Sequence, residues 1–76
     1  MTTEEKIKMF NGETAAMIDR NTDRFICFAT IYEKGAAKFL ADPNTEMGVS
    51  VNGHFWMTDG DIRYVFPNKD LQAIIG

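Results

Sequence analysis

The sequence predicts one α+β domain, with N-terminal helices packed on a three-stranded antiparallel β-meander and a short C-terminal helix. Three observations lead to this prediction: a helix-capping pattern at the N-terminus, two hairpin-turn dipeptides in the second half, and an Asn-capped apolar segment after a late proline. A chain of 76 residues has room for one domain, residues 1–76, and its apolar fraction of 45% supplies one core.

The first helix is predicted from a capping box. Thr2 and Glu5 stand three residues apart, so a helix should begin directly after Thr2. Apolar residues then follow at helical spacing as far as Ile18. Asn11-Gly12 interrupts this pattern and leaves two interpretations: one helix over residues 3–19 with a weak point at the glycine, or two short helices broken there.

The segment 24–41 is ambiguous between a helix and a strand. Its first half is rich in β-forming residues, but an apolar stripe with helical spacing runs through the whole segment. Asp42-Pro43 supplies a helix stop, whereas Gly35 costs about 1 kcal/mol in a helix. We predict a helix; the alternative is a strand over residues 24–32 that turns at Glu33-Lys34-Gly35.

The second half predicts the meander. Asn52-Gly53 and Asp59-Gly60 are strong hairpin signals. They divide the region into three strands: Met47–Val51, His54–Met57 and Asp61–Phe66. Pro67 should end the last strand, and Asn68 can cap a short helix over residues 69–75.

Turn lengths predict the register of the strands. A two-residue turn at Asn52-Gly53 pairs Val49 with Trp56, and a three-residue loop, Thr58-Asp59-Gly60, pairs Trp56 with Ile62. A two-residue loop at the second turn would mix the faces, so we prefer the longer one. The predicted core face then carries Met47, Val49, Val51, His54, Trp56, Ile62, Tyr64 and Phe66. The other face carries Gly48, Ser50, Phe55, Met57, Arg63 and Val65.

The second of these faces is the candidate partner-binding site. We assign to it Ser50, Phe55, Met57, Arg63 and Val65. Aromatic residues, methionine and arginine are enriched in the centres of protein interfaces, which favours a binding role for this patch. The competing interpretation is that the N-terminal helix covers the patch and makes a three-layer core.

Few residues suggest catalysis or metal binding. His54 is the one histidine, and the one cysteine, Cys27, lies in an apolar run that predicts a buried, unreactive thiol. Residues 42–46 place oxygen ligands at alternate positions but lack the glycine and the final acid of a calcium loop. A helix-turn-helix over residues 13–32 would have an apolar second helix instead of a basic one. We therefore predict neither a cofactor nor a metal.

Charge and composition limit the partners and the compartment. The net charge is −3 and the basic residues are dispersed, which disfavours direct binding to nucleic acid. The acidic, polar N-terminus does not resemble a signal peptide, and no apolar run reaches the ~20 residues of a membrane helix. A single cysteine is typical of a reducing compartment, so we predict a cytoplasmic protein.

These observations favour a non-enzymatic protein that binds a larger protein and regulates or inhibits it, as small proteins of phages and mobile elements often do. A nucleic-acid-handling enzyme would be a natural target for an acidic protein. One alternative is a homo-oligomeric structural protein, such as a homodimer, that uses the same face for self-association. Another is a small enzyme in which His54 works with an acid such as Asp61.

Overall fold

Five strands form one antiparallel sheet in the computed structural model, which describes residues 1–75. In chain order the elements are α1 (Thr3–Phe10), β1 (Glu13–Asp19), β2 (Arg24–Ile31), α2 (Glu33–Ala41), β3 (Met47–Val49), β4 (Phe55–Asp59), β5 (Ile62–Phe66) and a 3₁₀-helix (Lys69–Ile74). The strands lie side by side in the order β2-β1-β5-β4-β3.

The predicted three-stranded meander is therefore wrong in its strand count. The two extra strands, β1 and β2, form a hairpin from residues that we expected to be helical, and this hairpin also excludes a helix-turn-helix over residues 13–32. Ala16 pairs with Phe28 on one side and with Val65 of β5 on the other. This central position in the sheet decides the conformation, because pairing partners far along the chain override local helical spacing.

The segment 24–41 divides into both of the predicted alternatives. Its first half is strand β2, so the helix predicted there is wrong and the alternative strand is correct. The turn predicted with that strand at Glu33-Lys34-Gly35 is wrong, because these residues begin helix α2. Its second half is helix α2, in which Ala36 and Phe39 are buried as the apolar stripe indicated. The change occurs at Tyr32, whose extended backbone forms the N-cap of the helix.

Helix α1 begins as predicted but is shorter. The Glu5 N–H donates to the Thr2 hydroxyl, and the Thr2 N–H donates to the Glu5 carboxylate, both at 3.2 Å. This second bond holds the pKa of Glu5 below its usual value, so its stabilisation is present at neutral pH and is lost as the pH falls through that pKa. The helix ends at Phe10, because Gly12 takes a φ of +82° and turns the chain into β1.

Removing the helix cap should cost measurable stability. We expect Thr2→Ala to lower the free energy of unfolding by about 1 kcal/mol, because the Glu5 N–H loses its side-chain acceptor. The control is Thr3→Ala in the first helical turn, where alanine is the better helix former and stability should not fall. Thermal unfolding followed by circular dichroism measures both variants. An equal loss in both would contradict the cap.

The helices all pack on one side of the sheet, which we call the inner face. The ring of Phe10 from α1 lies 5.6 Å from that of Phe55 and 5.5 Å from that of Phe66. Phe39 of α2 lies 5.2 Å from Tyr64, and burial there raises the pKa of the tyrosine hydroxyl. The buried core consists of Phe10, Ala15, Ile31, Ala36, Phe39, Phe55, Met57, Phe66, Leu71 and Ile74.

Strand β4 is turned over relative to the predicted register. Val49 pairs with Phe55, and Trp56 pairs with Val65, so Phe55 shares the inner face with Val49 and Trp56 does not. Phe55 and Met57 are fully buried. The predicted core face is thus wrong at β4, because a one-residue slip in register moves every side chain of a strand to the opposite face.

The cause of this error is that the two loop lengths were exchanged. The first hairpin has the three-residue loop Val51-Asn52-Gly53: the Ser50 N–H donates to the His54 carbonyl at 2.8 Å, and Gly53 has a φ of +83°. The second hairpin has the two-residue loop Gly60-Asp61 between the paired residues Asp59 and Ile62. Gly60 takes a φ of +60° at the first central position of that loop, where a type II′ turn requires glycine.

The C-terminal cap is confirmed, although the helix that follows it is 3₁₀. The Asn68 side chain accepts from the Asp70 N–H at 3.0 Å, and its amide donates to the Glu13 carboxylate at 2.7 Å. Leu71 and Ile74 are buried as part of the core. The end of the chain is thereby held against the start of β1.

Candidate functional site

The second side of the sheet, the outer face, is left without a helix over it within residues 1–75, since the helical core residues pack against the inner face. Residues paired across antiparallel strands point to the same side, which fixes the members of this face. The outer face comprises Thr14, Ala16, Ile18, Phe25, Phe28, Thr30, Gly48, Trp56, Thr58, Arg63 and Val65.

Exposed aromatic side chains dominate one half of the outer face. Phe28 is 71% exposed and Phe25 is 55% exposed, and their ring centroids are 5.0 Å apart. Strand β2 lies at the edge of the sheet, so neither ring is covered by a neighbouring strand beyond it. Two adjacent exposed phenylalanines on one strand are typical of a surface that contacts another molecule.

An apolar groove crosses the middle of the outer face and has a volume of about 230 Å³. It exists because Ala16, a small residue, stands in the sheet between Phe28 on one side and Val65 on the other. The lining residues are Thr14, Ala16, Phe28, His54, Val65 and Pro67. The groove is large enough to accept an apolar side chain from a partner.

Trp56 and Arg63 form the other half of the outer face. The indole of Trp56 lies so close over Gly48 that a Cβ atom there would stand 2.4 Å from Cζ2 of the ring. The Arg63 guanidinium carbon is 6.0 Å from the Trp56 ring centroid, within the range of a cation–π contact. A second depression of about 320 Å³ is lined by Ser50, Trp56, Arg63 and Val65.

Arg63 is the one charged side chain among the strand residues that define the outer face. Its guanidinium lies 3.6 Å from the carboxylate of Asp23, a pair in which the two side chains are 39% and 82% exposed. Ion pairs this exposed contribute little, so the pair leaves Arg63 able to exchange Asp23 for the carboxylate of a partner.

The structure divides the five predicted partner-binding residues between the two sides of the sheet. Phe55 and Met57 are fully buried on the inner face, so their placement on an accessible face is wrong. Arg63 and Val65 lie on the outer face, and Ser50 lines the depression beside them. The competing interpretation is correct at Phe55, which the N-terminal helix covers through Phe10, but the three-layer core is wrong because the other face has no helix over it within residues 1–75.

Phe28 and Trp56 are the outer-face residues that sequence reasoning missed. Phe28 was placed in a predicted helix, although the density of β-forming residues along β2 was a signal for a strand. Trp56 was placed in the core because its face depended on the lengths of the two hairpin loops. A three-residue loop that ends on Gly53 was the signal that would have placed it correctly.

Comparison of the chain with protein-family models, with curated proteins and with solved structures gave no match.

The groups considered for catalysis lie apart from one another. His54 precedes β4 and Asp61 follows it, so the length of this strand, about 17 Å at 3.3 Å per residue, separates them. Cys27 is exposed, which corrects the prediction of a buried thiol, and its Sγ lies 3.7 Å from Sδ of Met17 on the inner face. His54 lines the groove on the opposite face.

The remaining polar segments have local structural explanations. In the loop over residues 42–46, the Asn44 N–H donates to the Asp42 carboxylate at 2.9 Å, as in an ordinary polar turn. Among residues 1–75 there is no group of three His, Cys, Asp or Glu side chains placed to hold a metal ion. Over the same residues, the helices are all too short or too polar to cross a membrane.

Proposed function

We propose that this chain is a non-enzymatic binding protein that regulates or inhibits a larger protein, and that the outer face is its contact surface. The observation that carries the proposal is the pair of exposed rings, Phe25 and Phe28, beside an apolar groove on a sheet without a covering helix. Aromatic residues and arginine concentrate in the energetic centres of protein interfaces, and rigid strands present them at low entropic cost.

The chemistry of the outer face favours a partner that is apolar at its centre and acidic at its rim. An apolar side chain suits the groove over Ala16 and Val65, and a carboxylate suits Arg63. None of the strand residues that define this face is acidic, although the chain has a net charge of −3. The basic cleft of a nucleic-acid-handling enzyme therefore gains no complementarity from this face.

Direct binding of nucleic acid is the less favoured use of the same surface. Stacking on Phe28 and Trp56 resembles what single-stranded nucleic acid requires, but such sites combine aromatic rings with several cations. The outer face contributes one cation, Arg63.

A cytoplasmic location stays a prediction. The free, exposed thiol of Cys27 is compatible with a reducing compartment.

Affinity capture with matched variants tests the proposal. The tagged wild-type chain is compared with Phe28→Asp and Arg63→Glu on the outer face and with Lys38→Glu on α2, an exposed site on the other side of the sheet. We expect one protein to be captured by the wild type and by Lys38→Glu and to be lost with both outer-face variants. With the captured protein purified, Phe28→Ala should weaken binding by about 30-fold, the effect of a hot-spot residue.

Two results would contradict the proposal. One is capture that survives both outer-face variants while their circular dichroism and thermal unfolding match the wild type. The other is retention of nucleic acid in place of a protein, recognised by an affinity that falls steeply as the salt concentration rises.

A further inference from the structure

The free side of β2 is an unprotected sheet edge. β2 pairs with β1 on one side and ends the strand order on the other. Its residues from Phe25 to Ile31 include neither a charge nor a proline, and every residue from Arg24 to Phe28 is exposed. Protein edges are normally blunted by lysine, proline or a covering element, so an uncharged edge of this kind is a ready template for a partner strand.

Hydrogen bonds identify the backbone groups that face the open edge. The Arg20 N–H donates to the Asp61 carbonyl at 2.8 Å, in register with the pairing of β1 and β5. The direction of the backbone hydrogen-bonding groups alternates along a strand. Since those of Arg20 point towards β5, those of Met17 and Ala15 point towards β2, where these residues pair with Cys27 and Ala29. The N–H and C=O groups of Phe28 and Thr30 consequently point away from β1, towards the open edge.

We propose that a second copy of this chain occupies the edge, with the two β2 strands paired antiparallel about a two-fold axis at Phe28. The two five-stranded sheets then join into one sheet of ten strands. In this register Phe28 forms a hydrogen-bonded pair with Phe28 of the second copy. The outer faces also become continuous, and the exposed Phe25 and Phe28 rings of both copies meet around the axis.

Charge complementarity favours the second copy as the occupant and sets the register. The central residues of β2 are uncharged, so self-pairing opposes no like charges there. At each end, Arg24 of one copy comes beside Glu33 of the other, which follows β2 directly and begins α2. A shift of two residues in one direction would instead bring Arg24 opposite Lys34 of the second copy, and the reverse shift would move Arg24 away from Glu33.

An engineered disulfide tests the register. Ala29 faces Cys27 of the second copy as a non-hydrogen-bonded pair, with Cα atoms about 4.5 Å apart, within the span of a disulfide. Mild oxidation of Ala29→Cys should therefore give a covalent dimer whose disulfide joins positions 27 and 29, identified by mass spectrometry of its peptides. The double variant Cys27→Ser/Ala29→Cys keeps one thiol per chain. In the proposed register position 29 of one copy does not face position 29 of the other, so this variant should form no disulfide between the copies.

A proline at the edge tests the backbone pairing without a thiol. Thr30→Pro removes an N–H that points to the open edge and is not used within one copy, so the monomer should keep its fold. We expect sedimentation equilibrium to show a wild-type dimer, twice the chain mass of 8.6 kDa, and a dissociation constant at least tenfold weaker for Thr30→Pro. Thr30→Ala loses the same side-chain contact with Thr14 but keeps the N–H, and its dissociation constant should match the wild type.

Two outcomes would overturn the proposal: a wild-type chain that stays at 8.6 kDa at all concentrations, or a dimer that survives Thr30→Pro and gives no disulfide between positions 27 and 29. The second outcome would indicate association through the outer faces themselves. This proposal is independent of the proposed function, because a monomeric chain could still bind its partner through the outer face.

Discussion

Phe55→Ala is expected to destabilise the fold by about 3–5 kcal/mol, the largest effect predicted for this chain. Phe55 is fully buried, and its ring lies 5.6 Å from Phe10 and 5.8 Å from Phe66. A domain of 76 residues has a total stability of about 4–11 kcal/mol, so this single truncation removes a large part of it. Chemical denaturation followed by circular dichroism measures the loss.

The matched control for this prediction is Phe28→Ala, the same chemical change on the outer face. Phe28 is 71% exposed within one copy, so at concentrations at which the chain is monomeric its replacement should alter the free energy of unfolding by no more than about 0.5 kcal/mol. Nearly equal losses in the two variants would contradict the register of β4, because Phe55 would then not lie in the core.

Gly48→Ala is expected to destabilise the chain by about 1–3 kcal/mol and to change the fluorescence of Trp56. The added Cβ would stand 2.4 Å from Cζ2 of the indole, so the ring must leave its place over β3. The loss of stability should depend on the indole ring, so Gly48→Ala should lower the free energy of unfolding much less in a Trp56→Ala background. A double-mutant cycle measures this difference.

Gly35→Ala is the control for this substitution and should raise the free energy of unfolding instead of lowering it. Its added Cβ meets Cγ2 of Ile31 at an ordinary 3.7 Å, and alanine in a helix is about 0.5–1 kcal/mol more favourable than glycine. If Gly48→Ala proved as harmless as Gly35→Ala, the close packing of Trp56 on β3 would be wrong.

The parts of the fold that sequence reasoning predicted correctly depend on nearby residues. The Thr2–Glu5 capping box and the Asn68 cap each join residues two or three positions apart, so their pattern is visible in a short stretch of sequence. The apolar stripe of α2 around Ala36 and Phe39 is local in the same sense. The two caps lie where they were predicted, whereas α2 is only the second half of the helix predicted over residues 24–41.

The elements that were predicted wrongly depend on distant residues. Strand β1 gains its neighbours from β2 and from β5, whose Val65 pairs with Ala16 although the two residues lie far apart in the chain. Nothing in the local spacing of β1 reports that pairing, and short apolar segments fit helical and strand periods equally well. The five-stranded sheet therefore depends on pairing between distant strands, which the secondary-structure propensities of residues 13–31 do not predict.

The candidate site was predicted in part for the same reason. Arg63 and Val65 were assigned to the correct side of β5, because a strand alternates its faces whatever its register. The residues of β4 were assigned to the wrong side, because their face depends on two loop lengths that a dipeptide such as Asn52-Gly53 leaves open. Phe28 was missed because its exposure follows from the edge position of β2.

Hydroxyl-radical footprinting of the chain, free and bound to the captured partner, tests most directly that the outer face is an accessible contact surface. In the free chain, labelled at a concentration at which it is monomeric, we expect strong labelling of Phe28, partial labelling of Trp56 and none of Met57, which is fully buried although methionine is readily oxidised. In the complex, Phe28 and Trp56 should be protected, while Met1, 58% exposed and outside this face, stays labelled. Strong labelling of Met57 in the free chain, or unchanged labelling of Phe28 in the complex, would contradict the account.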